Sequence, residues 1–303
     1  MLLEQSLRMD NLRMAWEEIA ENKGIAGVNG ISIRVWRRNW EERLVNLAQA
    51  VYANTYKPHK LRLRRVPKRN RRELRRLRIP TVTDRVLQRA VLQVLYPVFE
   101  PYFLDCSFGY RPGRSLYQAV QQIIVLRENG YRWVLDADID AFFDNVDQHL
   151  LLDYLHCDLP DTSLMPLITR WLKLGSSHPR HEIGIPLGSP LSPLWANVFL
   201  HRLDVAVTGK GWNIIRYADD FLVFAANQRE LQEIYQGVET ILSSLNLRYE
   251  PSKTRLASFD SGFDFLGVHF TSDTYSFIFR EKEIEISGDE INWLFSCYSP
   301  EYE

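Results

Sequence analysis

Hydrophobic and polar positions along this chain recur with two periods, near 3.6 residues and near 2, and each period predicts an element. Residues 7–20 read as a short helix, followed by a Gly-rich connector from Gly24 to Gly30. Trp36, Trp40, Leu44, Leu47 and Val51 then recur at spacings of four, four, three and four, the stripe of an amphipathic helix. Leu61 to Val66 alternates apolar and basic residues, which predicts a half-exposed strand with one cationic face. Val82 to Val98 reads as a helix ended by the prolines at 97 and 101, because proline cannot continue the helical hydrogen-bond ladder. Ser115 to Glu128 is a further helix, with Ser115 placed as its N-cap. Residues 132–139 form a short strand with acids at its end, and a long helix follows Pro193. Strands at 213–217 and 221–225 flank Asp219 and Asp220, and a helix over 229–245 leads to strands near 247–250, 254–258 and 263–270. Strands and helices mixed at irregular spacing predict an α+β fold rather than a doubly wound parallel sheet.

Composition narrows the class. With 303 residues, 46% of them hydrophobic and 25% charged, the chain has apolar material for one large core or several small ones. A disordered tail, a collagen-like fibre and a disulfide-stapled mini-domain are excluded. No apolar run approaches the ~18 residues of a membrane span, and Glu4, Gln5 and Arg8 interrupt the leucines at the start, unlike a secretion signal. Three scattered cysteines (Cys106, Cys157, Cys297) without metal-ligand spacing fit a reduced, cytoplasmic compartment and no membrane partner.

The net charge of −1 hides a sharp segregation. Between Lys57 and Arg89 there are fourteen Lys or Arg against two acids, a local charge of +12. From Asp136 to Asp161 there are eight aspartates and no Lys or Arg. Such a basic stretch suits a polyanion, and such an acidic one suits a divalent cation. Two solvated faces that meet within one fold are the competing reading.

The sharpest local pattern is Ile214-Ile-Arg-Tyr-Ala-Asp-Asp-Phe-Leu-Val-Phe224, two apolar strands around a turn that presents adjacent carboxylates. Adjacent aspartates also serve as plain turn formers, but those usually have polar flanks. Charges held this close beside a buried sheet repel and raise each other's pKa unless a cation neutralises them. In Leu135-Asp-Ala-Asp-Ile-Asp-Ala-Phe-Phe-Asp-Asn145 the alternation sends Asp136, Asp138 and Asp140 to one strand face unless the strand ends between them. With Asp138 beside Asp219, the carboxylates would suit two Mg2+ ions ~3.5–4 Å apart, as in two-metal polymerases.

With these residues the chain resembles the reverse transcriptases of bacterial group II introns. Tyr217-Ala-Asp-Asp220 resembles the family's catalytic turn, and Asp138-Ile-Asp-Ala-Phe-Phe-Asp144 its first carboxylate motif. Gly184-Ile-Pro-Leu-Gly-Ser-Pro-Leu-Ser-Pro-Leu-Trp-Ala-Asn197 resembles the loop and helix beneath template and nucleotide. Val66-Pro-Lys68, Ile79 to Gln88 and Ser107 to Arg114 resemble the fingers motifs, Pro251 to Thr254 the lysine motif, and Phe263 to Val268 the primer-grip hairpin. The likeness runs from about residue 10 to about 270.

The resemblance implies a right-hand polymerase: fingers in 1–130 with 145–185 contributing, and a palm with an antiparallel sheet in 131–270. In place of a thumb it leaves a short acidic remnant in 271–303. The implied reaction is RNA-directed DNA synthesis from an RNA template, a DNA or RNA primer and dNTPs, with two Mg2+ ions or Mn2+ as a substitute. Asp138, Asp219 and Asp220 are the implied catalytic and metal residues, joined at the metal by the Ile139 carbonyl. Lys68, Arg75, Phe143, Gly188 and Lys253 are implied nucleotide contacts, Lys253 as proton donor to pyrophosphate. Arg111, Arg114, Phe265, Leu266 and Gly267 are implied template or primer contacts. A core role for Phe143 and a solvated one for Lys253 are the competing readings.

Three departures from the family matter, the first being the arginine-rich Arg75-Arg-Leu-Arg-Ile-Pro80 where the family commonly has Arg-Pro-Leu-Gly-Ile-Pro. Leu187 stands where the family usually has glutamine, and leucine cannot hydrogen-bond. Only 33 residues follow Phe270, and seven acids stand against one lysine after Arg280, so a maturase region is not expected unless the chain is a fragment. A partner protein or a structured RNA would then supply the clamp. Phage defence, CRISPR spacer acquisition and a mobile group II-like element are the implied settings. A non-catalytic RNA-binding descendant and a template-independent nucleotidyltransferase of palm fold stay open as alternatives.

Overall fold

The computed structural model describes residues 1–67, 74–177 and 182–277. They form two compact units, the first of Met1–Pro101 and Gln148–Trp195, the second of Tyr102–Asp147 and the described residues from Ala196 on. Residues 102–130, expected with the N-terminal part, therefore fold with the carboxylate-bearing segment. Both units mix helices with antiparallel strands, as an α+β fold requires.

In the first unit the helix Val82–Phe99 is the hub, packed against Leu2–Ser6 and Met9–Glu21. Thr81 caps it by accepting the Asp84 N–H. Pro97 lies inside this helix rather than ending it. Placed in the last turn, it removes one hydrogen bond where the helix is about to end anyway. The tryptophan stripe folds as Ile33–Trp36 and Trp40–Tyr52, with Trp36 and Leu44 fully buried. Strands β1 (Arg62–Pro67) and β2 (Leu74–Ile79) form an antiparallel hairpin. A lone hairpin is marginal in water, and β2 gains its anchor from Leu77 and Ile79, which pack with Ile25, Val66 and Leu187.

The second unit is built on the sheet order β4-β5-β3-β6: β3 is Trp133–Asp138, β4 Asn213–Tyr217, β5 Asp220–Ala225 and β6 Arg255–Ser258. The helix Gln228–Ser244 packs against β3 and β5, burying Leu231, Ile234, Val238, Ile241 and Leu242 at helical spacing. The helix Leu116–Glu128, capped by Ser115 and Gln118 in a reciprocal pair, packs against β4. Strands β7 (Phe263–Phe265), β8 (Val268–Phe270) and β9 (Tyr275–Phe277) make a second antiparallel sheet. The stretch 263–270, one strand by its apolar pattern and a hairpin by the family resemblance at 263–268, is a hairpin. Leu266 and Gly267 both have positive φ (52° and 77°), as a two-residue type I′ turn demands. The strand expected near 247–250 reduces to one bridge, Tyr249 with Ile139, before Pro251 removes the next backbone donor.

Candidate active site

The register of the central sheet brings the acids together. Asp138, the last residue of β3, is the direct partner of Asp220, the first residue of β5. Tyr217 pairs with Asp220, so Ala218 and Asp219 are a two-residue loop, with Ala218 held at φ 61°. Asp138 and Asp220 from neighbouring strands and Asp219 from the adjoining loop therefore lie at one sheet end. The surrounding protein, then Asp219 and then Asp138 push the Asp220 carboxyl up to about 7, although its side chain keeps contact with solvent.

A buried guanidinium shapes the turn. Arg216, fully buried on β4, donates to both Asp204 oxygens (2.7 and 2.6 Å), to Asn197 Oδ1 (3.0 Å), to Ser107 Oγ (2.7 Å) and to the Ala218 carbonyl (3.0 Å). Burial alone would lower its pKa; Asp204 outweighs that, and the pKa is raised. Cys106 to Phe108 run beside β4, with Arg216 N–H on the Cys106 carbonyl and Phe108 N–H on the Arg216 carbonyl (2.8 and 2.9 Å). Gly109 follows, and a Cβ there would lie 2.4 Å from the Ala218 nitrogen, so only glycine fits behind the turn.

Asp136, Asp138 and Asp140 each take a cation from one short segment. Arg255 Nε donates to Asp136 Oδ2 (2.7 Å), Lys253 Nζ pairs with Asp138 Oδ2, and Arg248 Nε donates to Asp140 Oδ2 (2.7 Å). The strand ends at Asp138, so Asp140 leaves the shared face. Burial raises the Asp136 pKa against the opposing pull of Arg255. Partial burial lowers the Lys253 pKa, and the hydrogen bond and charge of Asp138 reverse it to a net rise. Among the described residues no group of three or more His, Cys, Asp or Glu side chains is placed to hold a metal ion. The donor chemistry nonetheless fits one: oxygen ligands only, under mutual repulsion, with an ammonium already drawn in.

The other expected site residues divide. Phe143 is half-buried and meets Phe142 edge-on at 5.3 Å, while Phe142 is the core ring. Ile139 is buried against the 248–250 segment. Arg114 pairs with Asp105 and lies over the Phe108 ring. Arg111 requires a correction: it is buried, and its guanidinium donates to the carbonyls of Leu104 (2.6 Å), Ser107 (2.7 Å) and Phe103 (3.4 Å). It braces its own loop and does not face a template. The Phe265 ring likewise belongs to the core, next to the turn made by Leu266 and Gly267.

In the first unit, Arg75 is exposed on β2, and Lys68 lies outside the described residues. Arg65 stands directly opposite Arg76, a like-charge pair that costs stability unless an anion lies against it. Gly188 has φ 116°, and a Cβ there would lie 3.1 Å from the Arg78 carbonyl oxygen, so β2 itself requires this glycine. Leu187 packs on the cluster of Leu77 and Ile79, and its carbonyl accepts the Arg78 N–H (2.8 Å), which accounts for an apolar residue at this place.

Residues 66–270, about two thirds of the chain, match the family model for reverse transcriptase (RNA-dependent DNA polymerase). The chain belongs to this family. It is 36% identical over 203 residues to the group II intron-encoded protein LtrA of Lactococcus lactis subsp. cremoris, across 65% of this chain and 33% of that protein. It thus spans about a third of the length of that relative. It is 28% identical over 284 residues to the protein YkfC of Escherichia coli K12, across 80% of this chain and 74% of that protein. The telomerase of Candida tropicalis shares the fold, with a TM-score of 0.57 at 10% identity over 85% of this chain and 57% of that chain. Among the described residues no helix is long and apolar enough to cross a membrane.

Sequence reading of this reverse transcriptase family member passed over Arg216, Asp204, Asn197, Gly109, Arg248 and Arg255. One signal was available: an arginine inside the apolar run Ile214 to Phe224 has to be paired where it is buried.

Proposed function

We propose that the chain is an RNA-directed DNA polymerase with a right-hand fold, extending a DNA or RNA primer with dNTPs along an RNA template. The observation that carries this reading is the register that sets Asp138 against Asp220 with Asp219 in the loop between β4 and β5. Asp138, Asp219, Asp220 and the Ile139 carbonyl hold Mg2+, with Mn2+ as a substitute. A pair of such ions, when bound, supplies a lowered pKa for the primer 3′-hydroxyl and charge compensation for the leaving pyrophosphate.

The chain's own residues do the rest. Lys253, on the turn after the 248–250 segment, gives a proton to the departing pyrophosphate. Phe143, half-buried and five residues after Asp138, lies beneath the sugar and crowds a 2′-hydroxyl. The turn at Leu266 and Gly267 supports the primer strand, and Arg114 meets template phosphate. In the first unit, Lys68 and Arg75 take triphosphate oxygens, where bidentate arginine geometry suits phosphate. Gly188 keeps the loop before the helix Ser192–Gly209 narrow enough for a nucleotide to approach.

Primer extension with Mg2+ on RNA, on DNA and without template tests the reading. Products whose sequence copies the RNA support it. Extension without template points to a terminal transferase, and RNA binding with no extension points to a non-catalytic descendant.

A further inference from the structure

The Lys253 ammonium lies on Asp138 Oδ2, and the charges of Asp220 and Asp219 act on it as well. The lysine thus contacts one acid of the candidate metal site and lies within the electrostatic reach of the other two. Arg248 and Arg255 are engaged on Asp140 and Asp136, on either side of it.

The lysine is tethered at close range. Glu250 N–H donates to the Asp138 carbonyl (2.8 Å), and the amides of Lys253 and Thr254 both donate to the Glu250 carbonyl (3.1 and 3.0 Å). The Glu250 carboxylate in turn accepts the Ser252 amide and hydroxyl (3.2 and 2.7 Å). The turn that bears Lys253 is thus locked to the main chain at Asp138, and the flexible side chain is what remains free to move. Its exposure decides the direction: the Lys253 side chain is 57% exposed and that of Asp138 only 9%. The lysine covers the acid and has solvent to swing into.

We propose that Lys253 is a displaceable counter-ion of the metal site, neutralising the aspartates in the metal-free chain and competing with the first divalent cation for Asp138. The proposal rests on the reading of Asp138, Asp219 and Asp220 as metal ligands. An ammonium and a divalent cation cannot both contact one carboxylate oxygen without strong repulsion, so the lysine has to leave as the metal enters. Its loss therefore strengthens metal binding by the nucleotide-free chain, even where it weakens catalysis. A residue with only a proton-donor role would leave that affinity unchanged.

The test uses the full chain without nucleotide or RNA, counting free Mn2+ by its room-temperature electron paramagnetic resonance signal. Lys253→Met is expected to bind on the order of 3- to 10-fold more tightly than wild type, the scale of a partly exposed ion pair. Lys253→Arg, which keeps the charge, is expected to stay near wild type. Equal or weaker binding by Lys253→Met overturns the proposal. Should that variant fail to fold, Mg2+ titration of the wild-type chain decides, read at the 15N signal of the Lys253 ammonium and assigned by its loss in Lys253→Arg. A saturable shift supports displacement, and an unmoved signal overturns it. Asp219→Ala separates the two levels. If it leaves Mn2+ affinity intact, the active-site reading falls and the proposal with it. If it abolishes binding while Lys253→Met matches wild type, displacement alone falls.

Discussion

A guanidinium with no exposed surface has to find every partner inside the protein, and Arg216 directs its donors to Asp204, Asn197, Ser107 and the carbonyl of Ala218. That last bond ties the clamp to the loop carrying Asp219. Asp204→Ala strands a buried positive charge and is expected to cost about 3–5 kcal/mol of stability, measured by urea unfolding of the full chain. Arg216→Lys keeps the charge but loses the fork, and the expected result is nucleotide incorporation slowed roughly 10- to 100-fold with RNA binding unchanged. The acids stand out in the sequence because charges alternating with apolar residues along a strand need partners wherever that strand is buried. Their pairing with Arg248, Lys253 and Arg255 was not legible, because these lie more than a hundred residues away and only Lys253 stood out, as an implied proton donor rather than a partner of Asp138.

Turns carry the site at the next scale. Ala218 sits in the left-handed region, and Gly109 stands behind it with no room for a Cβ. Gly109→Ala is expected to displace the turn and reduce the incorporation rate by about 100-fold, since sub-ångström placement governs the attack geometry. A thermal melt of the same variant checks that the second unit stays folded. Gly267→Val puts a branched side chain at φ 77° and is expected to destabilise the β7–β8 hairpin by about 1–2 kcal/mol, again read by unfolding. The β4–β5 hairpin was legible almost to the residue, because apolar runs bracket the two aspartates. The β7–β8 turn was legible only through the family resemblance, since Phe265, Leu266, Gly267 and Val268 read by pattern as one apolar run and only Gly267 signals the reversal. Pro97 misled for a related reason: position in the helix, not proline itself, decides whether the helix ends.

For the whole molecule, the segregated charge is the organising fact. The arginines of β1 and β2 are mostly exposed, and the Arg65–Arg76 pair repels unless a polyanion lies over it. Affinity for an RNA–primer duplex is expected to fall steeply with salt. Replacing Arg64, Arg65, Arg75 and Arg76 by Gln should flatten that slope by roughly 0.7–0.9 for each phosphate that is no longer neutralised. Division into units was only half legible, because the segment 102–130 shows no composition shift and joins the second unit through the docking of Cys106 to Phe108 beside β4. The central claim is that Asp138, Asp219 and Asp220 perform template-directed nucleotide addition. It is tested most directly by the single-nucleotide incorporation rate of wild type and Asp219→Ala on one RNA–primer duplex, at protein concentrations that saturate binding for both. The account predicts incorporation by wild type and a loss of at least about 1,000-fold in the variant, roughly the 4 kcal/mol of barrier that such metal-held charge compensation supplies. Equal rates in the two proteins would contradict it.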